Sequence, residues 1–312
     1  MLMKMQIEDQ LEHPTRRSES LSAMNQLLIA LRFYATGSFQ LVIGDTFAVD
    51  NATVCRTLKR VTQAIAGLRS KYVKLPETVE QRRNSMQLFY SQSQLPGIIG
   101  AVDGTHVPIQ SPGSADAEIY RNRKGYMSIN VQLVCDCTNY ISDVVARWPG
   151  SVHDSTVFDN SHIRALFETV RIDGCLVGDG GYGCRQYMLT PLLNPTTAAE
   201  RRYNAAHVSA RNCIERTNGM LKRRFPCLKY GMRLRLDNIL PVIVATVVLH
   251  NIAVLTRDED PDDDDELEQF IDSRRQRGVQ VDYDPVDALP LTGPLPAGAM
   301  GMRRAIIANL TP

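Results

Sequence analysis

Two short apolar runs in this chain each close on an aspartate: IIGAVDGTHV on Asp103 and CLVGDGGYG on Asp179. Runs of this length and composition predict buried strands. A buried strand seldom ends on an unpaired carboxylate, because desolvating a charge is expensive unless a counter-ion or metal offsets it. A third acid, Glu215 in RNCIERTNGMLKRRF, follows 36 positions after Asp179 inside a stretch of helical periodicity. Carboxylates gathered together repel and raise one another's pKa, and a divalent cation is the usual reason a fold tolerates them. The pattern points to an α/β fold whose strand ends and one helix deliver three acids to a common metal site.

The helix around Glu215 has the geometry for that task. Arg211, Glu215, Asn218 and Lys222 fall at i, i+4, i+7 and i+11 and share one polar face. Ile214, Thr217, Leu221 and Phe225 form a neighbouring face suited to packing on a sheet. The alternative is a surface helix held by an i,i+4 ion pair. Asp154, in WPGSVHDSTVF, follows a Pro–Gly break and begins a helical pattern, so a helix N-cap is its ordinary reading. His106 and His153 flank the acids as core or surface histidines, with ligand orientation or phosphate contact as the alternative. Arg121, Arg123 and Lys124 lie between Tyr120 and Tyr126, and Arg201, Arg202, Tyr203, Arg223 and Arg224 bracket the Glu215 helix. Such clusters bind phosphates without regard to sequence, and Arg211 and Lys222 are candidate DNA contacts beside them.

Six stretches in order carry a family resemblance: GIIGAVDGTHVPI, YRNRKGYMSINVQLVCD, ARWPGSVHDSTVF, LVGDGGYG, YNAAHVSARNCIERTNGMLKRRFPCL and VVLHNIAVL. Across residues 96 to 256 the chain resembles the harbinger (PIF/Harbinger) DDE transposases and the nucleases derived from them. The resemblance implies a ribonuclease H-like core, a mixed sheet flanked by helices. It implies that Asp103, Asp179 and Glu215 bind Mg²⁺ or Mn²⁺ and cut DNA by a two-metal mechanism, with Asp154 as a further acidic ligand. It also implies a nuclear protein, with the cytoplasm as a second location, and a Myb-like DNA-binding partner protein. Gly180 departs mildly from the Ser-Gly that family members often carry after the second aspartate. The alternative function is a domesticated, catalytically idle DNA-binding or scaffold protein that keeps the fold; the intact triad favours the enzyme. A small-nucleotide phosphodiesterase lacks an obvious base pocket, and no G-x-G-x-x-G or GK[ST] supports a nucleotide loop.

Composition narrows the setting. Seven cysteines, an odd number without C-x₂-C spacing, argue for reduced thiols in an intracellular compartment. Cys135 and Cys137 read as buried spacers at a strand end, with metal ligation as the alternative. The apolar stretch from Ile239 to Leu255 is broken by Pro241, His250 and Asn251, which predicts a buried helix and no membrane partner. The net charge of +1 conceals an asymmetry: 13 acidic against 5 basic residues after Arg257 leave −8 on the tail and +9 on the body. A basic body fits a DNA partner.

Four segments follow. Residues 1–20 are polar and Met-rich, and are expected to be disordered. Residues 21–95 predict a helical, helix-turn-helix-like region and connector, in which Thr53, Arg56, Thr57, Lys59 and Arg60 populate a face available to DNA. A plain helical hairpin packed on the core is the alternative. Residues 96–257 are expected to form the nuclease domain, with strands at 98–109, 128–136, 140–148 and 172–179, a hairpin-like turn at Cys137–Thr138–Asn139 and a helix at 154–169. Residues 258–312, with nine acids in the eleven from Asp258 to Glu268, are expected to be a disordered tail, solvated or mimicking DNA.

Overall fold

Ile7 and Leu11 stand four positions apart, one turn of helix, and that spacing decides the N-terminus. In the computed structural model, which describes residues 2–12, 21–113, 117–170, 172–259 and 297–309, they lie on helix α1 (Leu2–Leu11) and are fully buried. The expected disorder of residues 1–20 is therefore corrected for this stretch. Its polar residues obscure a two-residue apolar anchor; residues 13–20 lie outside the described residues.

Helix α2 (Ala23–Thr36) starts at Ser22, whose hydroxyl accepts from the Asn25 N–H, and ends on Gly37 at φ 61°. Helices α3 (Gln40–Phe47) and α4 (Asn51–Ala66) meet in the tight turn foreseen. Asp50 caps α4 by accepting from Thr53 N–H at 2.9 Å. Gly44 is needed there, since a Cβ would come within 2.5 Å of the Val49 carbonyl oxygen. Arg56 and Lys59 are exposed on α4, but Thr57 is buried. Arg60 is half-buried and donates to Gln26 Oε1 on α2 at 3.4 Å. The face open to a partner is thus narrower than the sequence suggests. Two more helices, α5 (Arg69–Tyr72) and α6 (Val79–Ser93), lead to the sheet.

Strand β1 (Ile98–Pro108) is its axis. It pairs antiparallel with β2 (Ser128–Cys135), which pairs antiparallel with β3 (Ile141–Pro149). On its other edge β1 pairs parallel with β4 (Cys175–Val177), and β4 with β5 (Met188–Leu189). The order β3-β2-β1-β4-β5 is that of a ribonuclease H-like core. Asp136 Oδ1 accepts from Thr138 N–H at 2.7 Å and Tyr140 N–H at 3.1 Å, and Asn139 takes φ 65°, which closes the β2–β3 hairpin. The fourth strand is shorter than the 172–179 expected, and β5 was not foreseen because two residues carry no readable period. The helix expected at 154–169 is two, α7 (Asp154–Asp159) and α8 (His162–Thr169), because Ser161 caps the second through Arg164 N–H.

Helix α9 (Ala198–Arg224) opens with a Thr197–Glu200 capping box and packs along β1. Helix α10 (Leu236–Thr256) is long and apolar enough to cross a membrane by length and composition. Here it packs on α4 and β3, with Ile239, Val242, Ile243, Val247 and Val248 buried. Its polar interruptions are connectors. Asn251 accepts from Ile141 N–H at 2.8 Å and donates to the Tyr72 and Ile141 carbonyls, and His250 Nε2 contacts the Asn139 carbonyl at 2.9 Å. One core cluster joins Leu27, Val54 and Val61 of the N-terminal helices to Ile129, Ile214 and Val247. Packing is therefore continuous across the expected boundary at residue 95. Residues 260–296, most of the acidic tail, lie outside the described residues. Residues 297–309, expected to be disordered, form helix α11 (Ala297–Asn309), which buries Ile306 and packs against α9.

Candidate active site

The register of β1 decides which way each acid faces. Asp103 pairs with Leu133, and Thr105 and Val107 pair with Val131 and Ile129, all on the face covered by α9. Ala101 pairs with Val177 on parallel β4, so Asp103 and Asp179, each two residues further on, leave adjacent strands side by side. Glu215 comes from α9 above them. The triad is thus assembled on one face, from three elements distant in sequence.

Arg211, Asn218 and Lys222 on the polar face of α9 reach toward β1, while the Glu215 side chain stays 59% exposed. Arg211 Nη2 stands 3.4 Å from Asp103 Oδ1, and its Nη1 stands 3.6 Å from Glu215 Oε1. Asn218 Nδ2 donates to Asp103 Oδ2 at 3.0 Å, and Lys222 Nζ donates to the His106 carbonyl at 3.0 Å. The i,i+4 ion pair weighed as an alternative is present, but as part of this ladder.

Burial pushes the Asp103 carboxyl up to about 7; nearby Arg211 opposes this, and Asp179, Asp154 and Glu215 reinforce it. The fields of the three other acids therefore meet at Asp103.

Asp154 arrives from the other face. It is the first residue of α7, and its Oδ1 accepts from Asn130 Nδ2 at 2.7 Å rather than capping the helix. Its carboxylate occupies the space where a side chain at position 104 would begin, so only glycine beside Asp103 leaves room. Buried Tyr182, whose phenol is pushed well up by desolvation and then by Asp154, Asp103 and Asp179, underlies the cluster. The supporting residues Gly104, Asn130 and Tyr182 went unnoticed in the sequence. The alternation of Ser128, Asn130 and Gln132 with Ile129, Val131 and Leu133 was the available signal. It resembles a half-exposed strand, yet all six are buried.

The basic residues divide. Arg123 and Lys124 lie close enough to His106, with Lys222, to reinforce the desolvation that holds its imidazole down at about 4. Arg123 also contacts His153. His106 Nδ1 is hydrogen-bonded to Ser128 Oγ at 3.0 Å. Arg121 turns away, bound at 2.8 and 3.0 Å to both oxygens of Glu118 and to the Gly125 carbonyl. Arg56 and Arg60 belong to α4, outside this cluster.

An all-oxygen donor set of carboxylates suits a hard divalent cation. Burial first, and the neighbouring acids second, disfavour the charged form of Asp103, and a bound cation would offset both. Among the described residues, however, no three His, Cys, Asp or Glu side chains are placed to hold one ion as they stand. The Arg211 guanidinium lies between two of them.

Fold and site together define a nuclease core of the DDE type. The DDE superfamily endonuclease family matches residues 102–251, a span containing all four acids. Over 248 residues the chain is 38% identical to the mouse (Mus musculus) protein named "Putative nuclease HARBI1", covering 78% of this chain and 71% of that one. The human protein of the same name is 36% identical over the same shares. An Arabidopsis thaliana protein named "Protein ALP1-like" is 27% identical over 278 residues, 84% of this chain and 68% of that one. No solved structure matches the chain. The chain belongs to the harbinger transposase-derived nuclease family.

Proposed function

We propose that this protein cleaves DNA phosphodiester bonds with Asp103, Asp179 and Glu215 holding divalent metal, Mg²⁺ or Mn²⁺. The observation that carries the reading is the single-face assembly of the triad around a desolvated Asp103. When bound, such ions activate the attacking oxygen and stabilise the leaving one. Asp103, on the central strand, with Asp179 and Glu215 at its flanks, would hold the metal. Asp154, held by Asn130 over Gly104, supplies a further acid from the opposite side.

DNA lies across the exposed rim of this site. Arg123, Lys124 and Lys222 are its nearest phosphate contacts, and neutral His106 among them adds a hydrogen-bonding surface without charge. Arg56, with Arg60 in support, offers a second contact on the helix-turn-helix-like element. The family resemblance extends this proposal to a nuclear location and a Myb-like DNA-binding partner protein.

The test is Mn²⁺-dependent nicking of supercoiled DNA by the full chain, with Asp103→Asn and Glu215→Gln beside it. Nicking by the wild type and its loss in both variants is expected. Equal nicking by wild type and Asp103→Asn rules out the assignment. DNA binding without nicking in the wild type favours the idle, DNA-holding reading.

A further inference from the structure

Each carboxylate oxygen of Asp103 has a donor facing it. One is faced by Arg211 at 3.4 Å and the other by Asn218 at 3.0 Å, while the second arm of Arg211 reaches Glu215 at 3.6 Å. A divalent ion of the magnesium class binds its carboxylates at about 2.0–2.1 Å, closer than any of these donors stands.

We propose that Arg211 is the built-in counter-cation of this acidic site and competes with the metal for Asp103 and Glu215. The inference rests on the metal-binding reading above and concerns what holds the carboxylates before metal arrives. Four features support it. The guanidinium side chain is 18% exposed, about as sheltered as Asp103 at 20%, so its charge acts in a poorly solvated place. Arg211 is the opposing charge at Asp103, against three neighbouring acids. Its contacts are single-armed and longer than the 2.7–2.9 Å of a locked charge-assisted pair, so it bridges the acids without being fixed to either. Its Nε is buried without a partner, so no further bond at that atom anchors the guanidinium.

A metal cation brought to Asp103 and Glu215 meets the Arg211 charge at the same two carboxylates, and their mutual repulsion couples metal binding to withdrawal of the guanidinium. The apparent metal affinity is then the intrinsic affinity reduced by the fraction of time Arg211 has left. The same contact keeps the metal-free carboxylates from repelling the site apart.

The experiment is Mn²⁺ titration by calorimetry and thermal unfolding of the full chain, comparing wild type, Arg211→Gln and Arg211→Lys. Arg211→Gln should bind Mn²⁺ roughly tenfold more tightly, as expected where the competitor holds the site about nine-tenths of the time. Its metal-free Tm should fall below wild type and rise further on adding Mn²⁺. Arg211→Lys, whose single ammonium cannot bridge both acids, should lie between, and it carries the test if Arg211→Gln does not fold. Mn²⁺ binding by wild type with equal or weaker binding in the variants overturns the competition and leaves the metal reading intact. Absence of Mn²⁺ binding in all three proteins overturns both.

Discussion

At the scale of single residues, Asp103 and Gly104 act as a unit. The carboxyl of Asp103 is held near 7, well above its unfolded value, so ionising it costs the metal-free fold stability as pH rises from about 4 through 7. Asp103→Asn removes that cost. Its metal-free Tm at pH 8 should equal or exceed that of the wild type, although nicking is lost. A marked fall in Tm would mean that Asp103 serves the fold through its bonds to Asn218 and Arg211. Gly104 is a matter of space. In Gly104→Ala the new methyl collides with Asp154, which Asn130 prevents from swinging aside. Overpacking of this kind costs roughly 1–3 kcal/mol. Chemical denaturation should show a loss of that size, and Gly104→Ala combined with Asp154→Ala should recover most of it. If the double variant is no better than the single, the crowding lies elsewhere.

Helix α9 joins chemistry to support within one element. Its Ile214, Thr217 and Leu221 are buried while Arg211, Asn218 and Lys222 trace β1. About two turns before Glu215, His207 is buried and its Nε2 donates to the Leu189 carbonyl at 3.2 Å, which ties α9 to β5. Burial lowers its pKa to about 4, below the ordinary histidine value of about 6.5. The direction follows from linkage. The unfolded chain protonates His207 first, so the stability it contributes is complete above about pH 6.5 and is lost as pH falls toward 4. At pH 5 the loss is on the order of 2 kcal/mol. His207→Gln, which keeps a neutral donor, should show a correspondingly shallower decline in stability between pH 7 and 5. Parallel declines in the two proteins would place a charged, hydrated histidine in the native state.

Over the whole molecule, the question is where DNA meets the surface. Neutralising a phosphate contact lowers the slope of log affinity against log salt by about 1 on duplex DNA. Lys124→Ala with Lys222→Ala should therefore flatten the slope by about 1 to 2, because Lys222 is partly engaged with the His106 carbonyl. Arg56→Ala should flatten it by about 1. Arg60→Ala should change it less, because Arg60 is partly spent on Gln26. Unchanged slopes in all three would move DNA recognition to a partner protein. The acidic stretch is tested by charge rather than by truncation, since cutting at residue 258 also removes α11 and its buried Ile306. Replacing Asp262 to Asp265 with asparagine should tighten non-specific binding at low salt if that charge competes with phosphate.

The sequence by itself determined the elements and the chemistry they carry. Apolar runs ending in Asp103 and Asp179 announced two strands, and helical spacing placed Glu215 beside Arg211 and Asn218, because these signals are local and periodic. The hairpin at Asn139 and the buried nature of α10 were legible for the same reason. Tertiary structure alone decided what each polar group faces. Arg211 looked like a DNA contact and is instead engaged with two acids. Arg121 looked like a partner of Arg123 and is bound to Glu118. Asp154 looked like a helix cap and sits over Gly104. Ile7 and Ile306, in segments that read as disordered, reach the same core from opposite ends of the chain. Periodicity gives a side chain its face within an element; only the packing of that element against others, often a hundred or more residues away, gives a charge its partner.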